Sequence, residues 1–207
     1  MEVTRAAMDA DGGGARTSLP DPLPDVLHLG CGRQKYPLAP TLGVDGIPGP
    51  VVDLVWNLDR RPWPLPDGAF GKVYLVNVLE HLEDVIGVME EVHRVCRPGA
   101  EVVILAPFAS SHHLWTDPTH RRAFLSRSFQ YFTSGFSDER FSYTGARFEL
   151  LEATYEKYEE WMWVYRPKRL DRFLLGLANR HKDLFERRFL YWYQIRNIYF
   201  RLRALKP

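Results

Sequence analysis

Cysteine is scarce in this chain: Cys31 and Cys96 are the two it contains in 207 residues. They are too few and too far apart for a disulfide framework, so a reduced, cytoplasmic protein is expected. Long apolar runs are also missing, and none approaches the roughly 18 residues of a membrane span. The N-terminus carries Asp9 and Asp11 and no apolar core of the kind a secretory leader needs. Neither sign of charge dominates. Lys and Arg number 27 against 26 Asp and Glu, a formal net charge of +1, so the overall balance gives no pull toward nucleic acid or a strongly acidic partner. What is present is an ordinary globular balance, 45% hydrophobic and 26% charged, at a length that suits one α/β domain. Aromatic residues reach 14% and crowd the part after residue 107, where they suit a pocket wall or an interface as well as core.

Three blocks in the first half form an ordered pattern. Val26-Leu27-His28-Leu29-Gly30-Cys31-Gly32 is an apolar strand running into a tight turn. Gly30 and Gly32 have no Cβ, so the backbone there can take positive φ and approach a ligand closely. Leu42-Gly43-Val44 is a second strand that ends in Asp45, an acid placed to accept from two ribose hydroxyls as in doubly wound folds. Val76-Asn77-Val78-Leu79-Glu80-His81-Leu82 closes a continuous apolar run and leads into Glu91-Val92-His93-Arg94-Val95-Cys96-Arg97-Pro98-Gly99. In this order the blocks describe a nucleotide-type cofactor held along the carboxyl edge of a parallel sheet.

Residues 1–22 lack periodicity and read as a disordered tail, and residues 23–207 as one domain. Strands are expected at 25–29, 42–44, 51–56, 72–78 and 101–106. A helix is expected over 84–96 on the stripe Val85, Val88, Met89, Val92, Val95 and Cys96, ended by Pro98-Gly99. The span from Gly32 to Leu42 is short and holds Pro37 and Pro40, so the first crossover is degenerate. Residues 147–164 are mostly strand-like, with 152–160 open to a helical reading, and a basic helix is expected over 170–186. Ile198, Phe200, Leu202 and Ala204 alternate with Arg201 and Arg203, the pattern of a half-buried strand. Inserted antiparallel, it completes a Rossmann-like mixed seven-stranded α/β sheet.

On these residues the chain resembles the class I S-adenosylmethionine-dependent methyltransferases, of the small single-domain, methyltransferase-11-like type. The resemblance spans roughly residues 25–106 by motif, and the closing strand by position. It implies S-adenosylmethionine (SAM) as cofactor, with contacts from His28, Gly30, Cys31, Gly32, Asp45, Gly46, Asn57, Leu58, Asn77, Val78 and His81. Leu58 stands where the family packs adenine. Pro62-Trp63-Pro64-Leu65-Pro66-Asp67 and Arg94-Val95-Cys96-Arg97-Pro98-Gly99 resemble two further family loops. His28 and Asn57 stand where the family often has acids.

The chemistry is expected after the fifth strand, in a segment holding His112, His113, Asp117 and His120. The favoured reading makes a histidine the general base for an SN2 displacement, His120 or His113 first, with Asp117 orienting it. A structural reading makes Asp117-Pro118-Thr119-His120 a turn and helix start. A metal site from His112, His113, Asp117 and His120 is a third reading, less favoured. Residues 107–145 and 165–190 are expected on the substrate side, with Phe124, Phe129, Tyr131, Phe132, Phe136, Phe141 and Tyr143 as candidate pocket wall. The basic, aromatic C-terminal stretch with Arg169, Arg172, Arg180, Lys182, Arg187 and Arg188 suits a membrane surface or a homodimer interface as well as a solvated face, and suits nucleic acid less because no RNA-binding motif accompanies it. The function expected is methyl transfer to an O or N of a small molecule. A metal-assisted transfer, a SAM-dependent cyclisation or rearrangement, and a non-catalytic SAM-binding subunit are the alternatives.

Overall fold

The computed structural model describes residues 19–35, 40–133, 143–157 and 169–206. Seven strands form one sheet: Val26–Leu29 (β1), Thr41–Asp45 (β2), Leu54–Val55 (β3), Phe70–Val76 (β4), Cys96–Pro107 (β5), Arg147–Tyr155 (β6) and Asn197–Leu205 (β7). Their order is β3-β2-β1-β4-β5-β7-β6. The first five run parallel, and β7 lies antiparallel between β5 and β6. This is the mixed seven-stranded sheet that the motifs imply. The helices are Val85–Val95 (α1), His112–Thr116 (α2), Arg169–Arg180 (α3) and Lys182–Arg188 (α4).

Strand alternation sends Leu27, Leu29, Val73, Leu75, Val102, Ile104, Phe200 and Leu202 into the main core. Helix α1 covers that face with Val88, Met89, Val92 and Val95. Each such side chain, fully buried, contributes about 1.5–3 kcal/mol. Asp84 caps α1 by accepting from the Gly87 N–H at 3.0 Å. The opposite face is different in kind. Among the described residues no helix follows β1, β2 or β3, because those connections are short and rich in turns. That face carries a small cluster around Tyr74, Val103, Leu105 and Tyr199. Beside it ion pairs cross four strands: Lys72–Glu101 at 2.9 Å, Arg201–Glu101 at 3.7 Å, Arg201–Glu152 at 3.9 Å and Arg203–Glu149 at 2.8 Å.

Several element bounds differ from the sequence expectation, each for a local reason. β3 is two residues long, since Asp53 is drawn off to accept from the Gly43 N–H. β5 begins at Cys96, directly out of α1, because Cys96 already pairs with Phe70. The single basic helix is two, broken at His181, where φ is −123° and ψ 49°. Leu19, in the expected tail, packs against the core. The rest of that tail, residues 1–18, lies outside the described residues, as do residues 158–164 of the expected long strand.

Candidate active site

In an open α/β sheet the ligand crevice lies at the carboxyl ends of the strands, where strand order reverses. Here that point falls between β1 and β4. Gly30 has φ +68°, and its N–H donates to the Val44 carbonyl at 2.8 Å. A Cβ on Gly30 would stand 2.4 Å from Val78 Cγ2, so only glycine lets the turn after β1 close against the loop after β4. A Cβ on Gly32, at φ +54°, would meet nothing within 4 Å, which leaves the turn open toward a ligand. Asp45 Oδ2 accepts from the Gly32 N–H at 2.8 Å, and its Oδ1 from the Ile47 N–H at 2.9 Å. Each oxygen keeps a further lone pair. The Cys31 thiol is pushed up to about 12, first by burial and then by the Asp45 charge, so it is not a nucleophile here. Gly30, Cys31, Gly32, Asp45 and Gly46 thus form one continuous edge of backbone and carboxylate that fits a nucleotide-type cofactor.

Of the residues given cofactor contacts by the resemblance, two are buried away from this edge and a third, Asn57, is half-buried. His28 is 1% exposed, edge-on to Tyr74 with centroids 6.4 Å apart. Burial, aided by the Lys35 charge, pushes it down to about 4, so it is a neutral imidazole packed into the sheet. Leu58 lies in the main core, not on a ligand face. Asn57 Oδ1 accepts from the Asp59 N–H at 3.0 Å and holds a local turn.

Beside this edge opens a polar cleft of about 660 Å³, lined by Asn77, Glu80, His81, His113, Asp117 and His120, with Asn197 opposite. Asn77 holds positive φ at 48° while its N–H donates to the Leu105 carbonyl at 2.8 Å. Glu80 is 0% exposed, and neither of its carboxylate oxygens has a hydrogen-bond partner among the described residues. Burial pushes its pKa up to about 7, and the Asp117 charge adds to this.

The histidine tautomers follow from their partners. His120 Nδ1 lies 3.1 Å from the Leu114 carbonyl, which can only accept, so Nδ1 carries the hydrogen. Nε2 then keeps its lone pair, 3.9 Å from Glu80 Oε1 and 4.0 Å from Asp117 Oδ2. Thr119 spends its hydroxyl hydrogen on Asp117 Oδ1 at 2.7 Å, so its oxygen accepts from His81 Nδ1 at 2.8 Å. His81 also keeps Nε2 unprotonated, and its ring meets that of His120 edge-on with centroids 4.6 Å apart. Burial first, then the His120 charge, lowers its pKa.

Local sequence builds this arrangement. Ser111 caps α2 by accepting from the His113 N–H at 3.2 Å, and Pro118 cannot continue the helix. Asp117 then turns the chain by accepting from the Thr119 N–H at 2.8 Å. The expected turn is therefore present, but the helix ends at it rather than beginning there.

Of the expected catalytic residues, His113, Asp117 and His120 line the cleft, and His112 does not. It is exposed, its ring tilted at 37° to that of His113 with centroids 3.9 Å apart. The expected metal set of His112, His113, Asp117 and His120 does not converge. The donor atoms that do, all within 4.8 Å of one another, belong to Glu80, His81 and His120. The sequence reading gave Glu80 no role of its own, though a charged residue closing an apolar strand just before a histidine was a usable signal. The described aromatics of the expected wall do not line this cleft. Phe124, Phe129 and Phe132 are core, packed among Phe148 and Phe200, while Tyr131 and Tyr143 are exposed and Phe136 and Phe141 lie outside the described residues.

Comparison with known proteins agrees with the geometry. Residues 49–104 match the family described as methyltransferase domain. No curated protein matches the chain. Among solved structures, the YcgJ protein of Bacillus subtilis is 15% identical over 88% of this chain and 92% of its own, with a TM-score of 0.53. A SAM-dependent methyltransferase from Methanosarcina mazei is 14% identical over 88% and 92%, with a TM-score of 0.50. The complex of the Haloferax volcanii Trm112 methyltransferase activator with a methyltransferase matches at 15% identity over 87% and 82%, with a TM-score of 0.50. At such identities these likenesses are of fold. The chain thus has the fold of these proteins, and its residues 49–104 are similar to a methyltransferase domain.

Proposed function

We propose that the chain transfers a methyl group to an oxygen or nitrogen of a small polar molecule held in the cleft, with His120 as general base. One observation carries this reading: a buried, unbonded Glu80 carboxyl faces His120 Nε2 in a cleft that opens beside the glycine edge. Bound SAM supplies an electrophilic sulfonium methyl. Gly30, Cys31, Gly32, Asp45 and Gly46 are the residues we assign to hold it, bordered by Asn77, Val78 and His81. His120 Nε2 takes the proton of the acceptor, and Glu80 and Asp117, both within 4.0 Å, stabilise the imidazolium that forms. The Leu114 carbonyl fixes the tautomer. General-base catalysis of this kind contributes about 10²–10⁴-fold. The polar lining favours a polar acceptor, and the two free thiols support a reducing, cytoplasmic setting.

The test is S-adenosylhomocysteine release with a panel of small O- and N-nucleophiles, beside SAM affinity by calorimetry. His120→Ala is expected to slow turnover by about 10² or more with SAM affinity unchanged. Asp45→Ala is expected to weaken SAM binding by roughly tenfold or more, through lost hydrogen bonds to a charged group. Methylthioadenosine as product would point to cyclisation or rearrangement, and SAM binding with no turnover would point to a non-catalytic subunit. A second reading, metal-assisted transfer, is favoured by the convergence of Glu80, His81 and His120 with both histidines carrying their hydrogen on Nδ1. Elemental mass spectrometry of wild type and His120→Ala separates the two, since a stoichiometric metal lost in the variant removes the free-base role.

A further inference from the structure

Among the described residues of the 165–190 stretch, none lines the polar cleft. Its described part builds a separate surface. Leu175 and Ala178 are the buried residues of α3, which packs against β6. The other side of the helix is apolar and exposed, with Leu170 and Phe173 each 68% exposed. After α4 come Tyr191 and Trp192, 81% and 85% exposed. Between the two helices and that loop runs an apolar groove of about 380 Å³, lined by Leu174, Leu177, Leu184, Phe185, Phe189 and Trp192. Exposed apolar side chains gathered round an apolar groove suit an interaction site.

The charges around it settle what it suits. All three acids of the segment are engaged. Asp171 accepts from the Tyr193 hydroxyl at 3.3 Å, and Asp183 pairs with Arg187 at 3.1 Å. Glu186 accepts from the Tyr155 hydroxyl at 2.6 Å and the Ser126 N–H at 2.8 Å. Arg169, Arg172, Arg180 and Arg188 are exposed, with no ion pair among the described residues. We propose that this face docks on an anionic lipid bilayer. The guanidiniums meet headgroup phosphates, Tyr191 and Trp192 sit at the interface, and Leu170, Phe173 and the groove take the acyl region. This is the composition of an interfacial element rather than a spanning one, and no described helix is long and apolar enough to cross a membrane. A second copy fits the face less well, because a two-fold contact would bring the same unpaired arginines together.

The test uses the full chain with vesicles of phosphatidylcholine alone and of phosphatidylcholine mixed with phosphatidylserine. Co-sedimentation and a blue shift of tryptophan emission are expected with the serine lipid, weakening as salt rises. Arg172→Ala with Arg188→Ala is expected to lower partitioning about 25-fold, at about fivefold per arginine. Trp192→Ser with Phe173→Ser is expected to abolish the blue shift. These side chains are exposed, so circular dichroism and Tm should stay those of wild type; if a pair unfolds, Arg169→Ala with Arg180→Ala replaces it. Wild type that ignores the serine-lipid vesicles, or binds both kinds equally, overturns the proposal. So does a dimer, seen by light scattering, that Trp192→Ser dissociates while vesicle binding is absent.

Discussion

Glu80→Gln is the sharpest perturbation the site allows. The carboxyl is fully buried, and its pKa stands at about 7 against an ordinary 4.5. The fold therefore favours the protonated form. Between pH 4.5 and 7 the native state binds more protons than the unfolded chain, so stability falls as pH rises through that window, and the full penalty is present above it. A difference of about 2.5 units at 1.36 kcal/mol each makes the penalty roughly 3 kcal/mol. Glutamine has the same shape and no charge to desolvate. The variant should match wild type near pH 4.5 and exceed it by about 3 kcal/mol at pH 8, a rise of roughly 6–12 °C in Tm for a chain of this size. Urea and thermal unfolding at pH 5, 6, 7 and 8, compared between the two proteins, reads the difference directly, because titrations elsewhere cancel. Turnover should fall in the same variant, since the imidazolium loses a counter-charge. A difference that does not change with pH refutes the reasoning. A variant less stable than wild type at pH 8 also refutes it, and would mean Glu80 is ionised and held by a cation.

Two further changes test how the site is framed. Gly30→Ala sets a Cβ against Val78 at a residue with φ +68°. The left-handed conformation costs about 1–2 kcal/mol and the overpacking about 1–3 kcal/mol, and SAM binding should be lost with them, as denaturant midpoints and calorimetry will read. Arg94 donates to Glu91 at 2.8 Å, to the Leu65 carbonyl at 2.8 Å and to the Trp63 carbonyl at 3.1 Å, and also pairs with Asp67. Arg94→Ala strands these acceptors and should cost about 2–3 kcal/mol in chemical denaturation, with little rescue from Arg94→Lys, whose single ammonium cannot span them.

How much of this was legible in the sequence depends on the range of the forces involved. β1, β2, α1 and β7 follow from apolar periodicity, and Gly30 and Asp45 from the local demands of a turn and a strand end. His28 and Leu58 occupy motif positions as expected, but position along a strand does not say which face a side chain takes. Alternation along β1 sends His28 against Tyr74, and the turn after β3 puts Leu58 into the core. The aromatic cluster was misread for a related reason. An aromatic-rich stretch gives the same sequence signal whether it walls a pocket or fills a core, and the inward rings of β6 and β7 needed Phe124, Phe129 and Phe132 to cover them.

The candidate catalytic centre was the least legible part because it joins residues far apart in sequence. The Arg121 N–H donates to the Glu80 carbonyl at 2.8 Å, and the Arg122 guanidinium to the Leu82 and Glu83 carbonyls at 2.7 and 2.8 Å, tying the segment after β5 to the loop after β4. These bonds bring Asp117, Thr119 and His120 over Glu80 and His81. Burying an unbonded carboxyl works against stability. A buried carboxyl with a raised pKa, among histidines whose tautomers are fixed by Leu114 and Thr119, is the arrangement that makes this cleft our candidate for the chemistry.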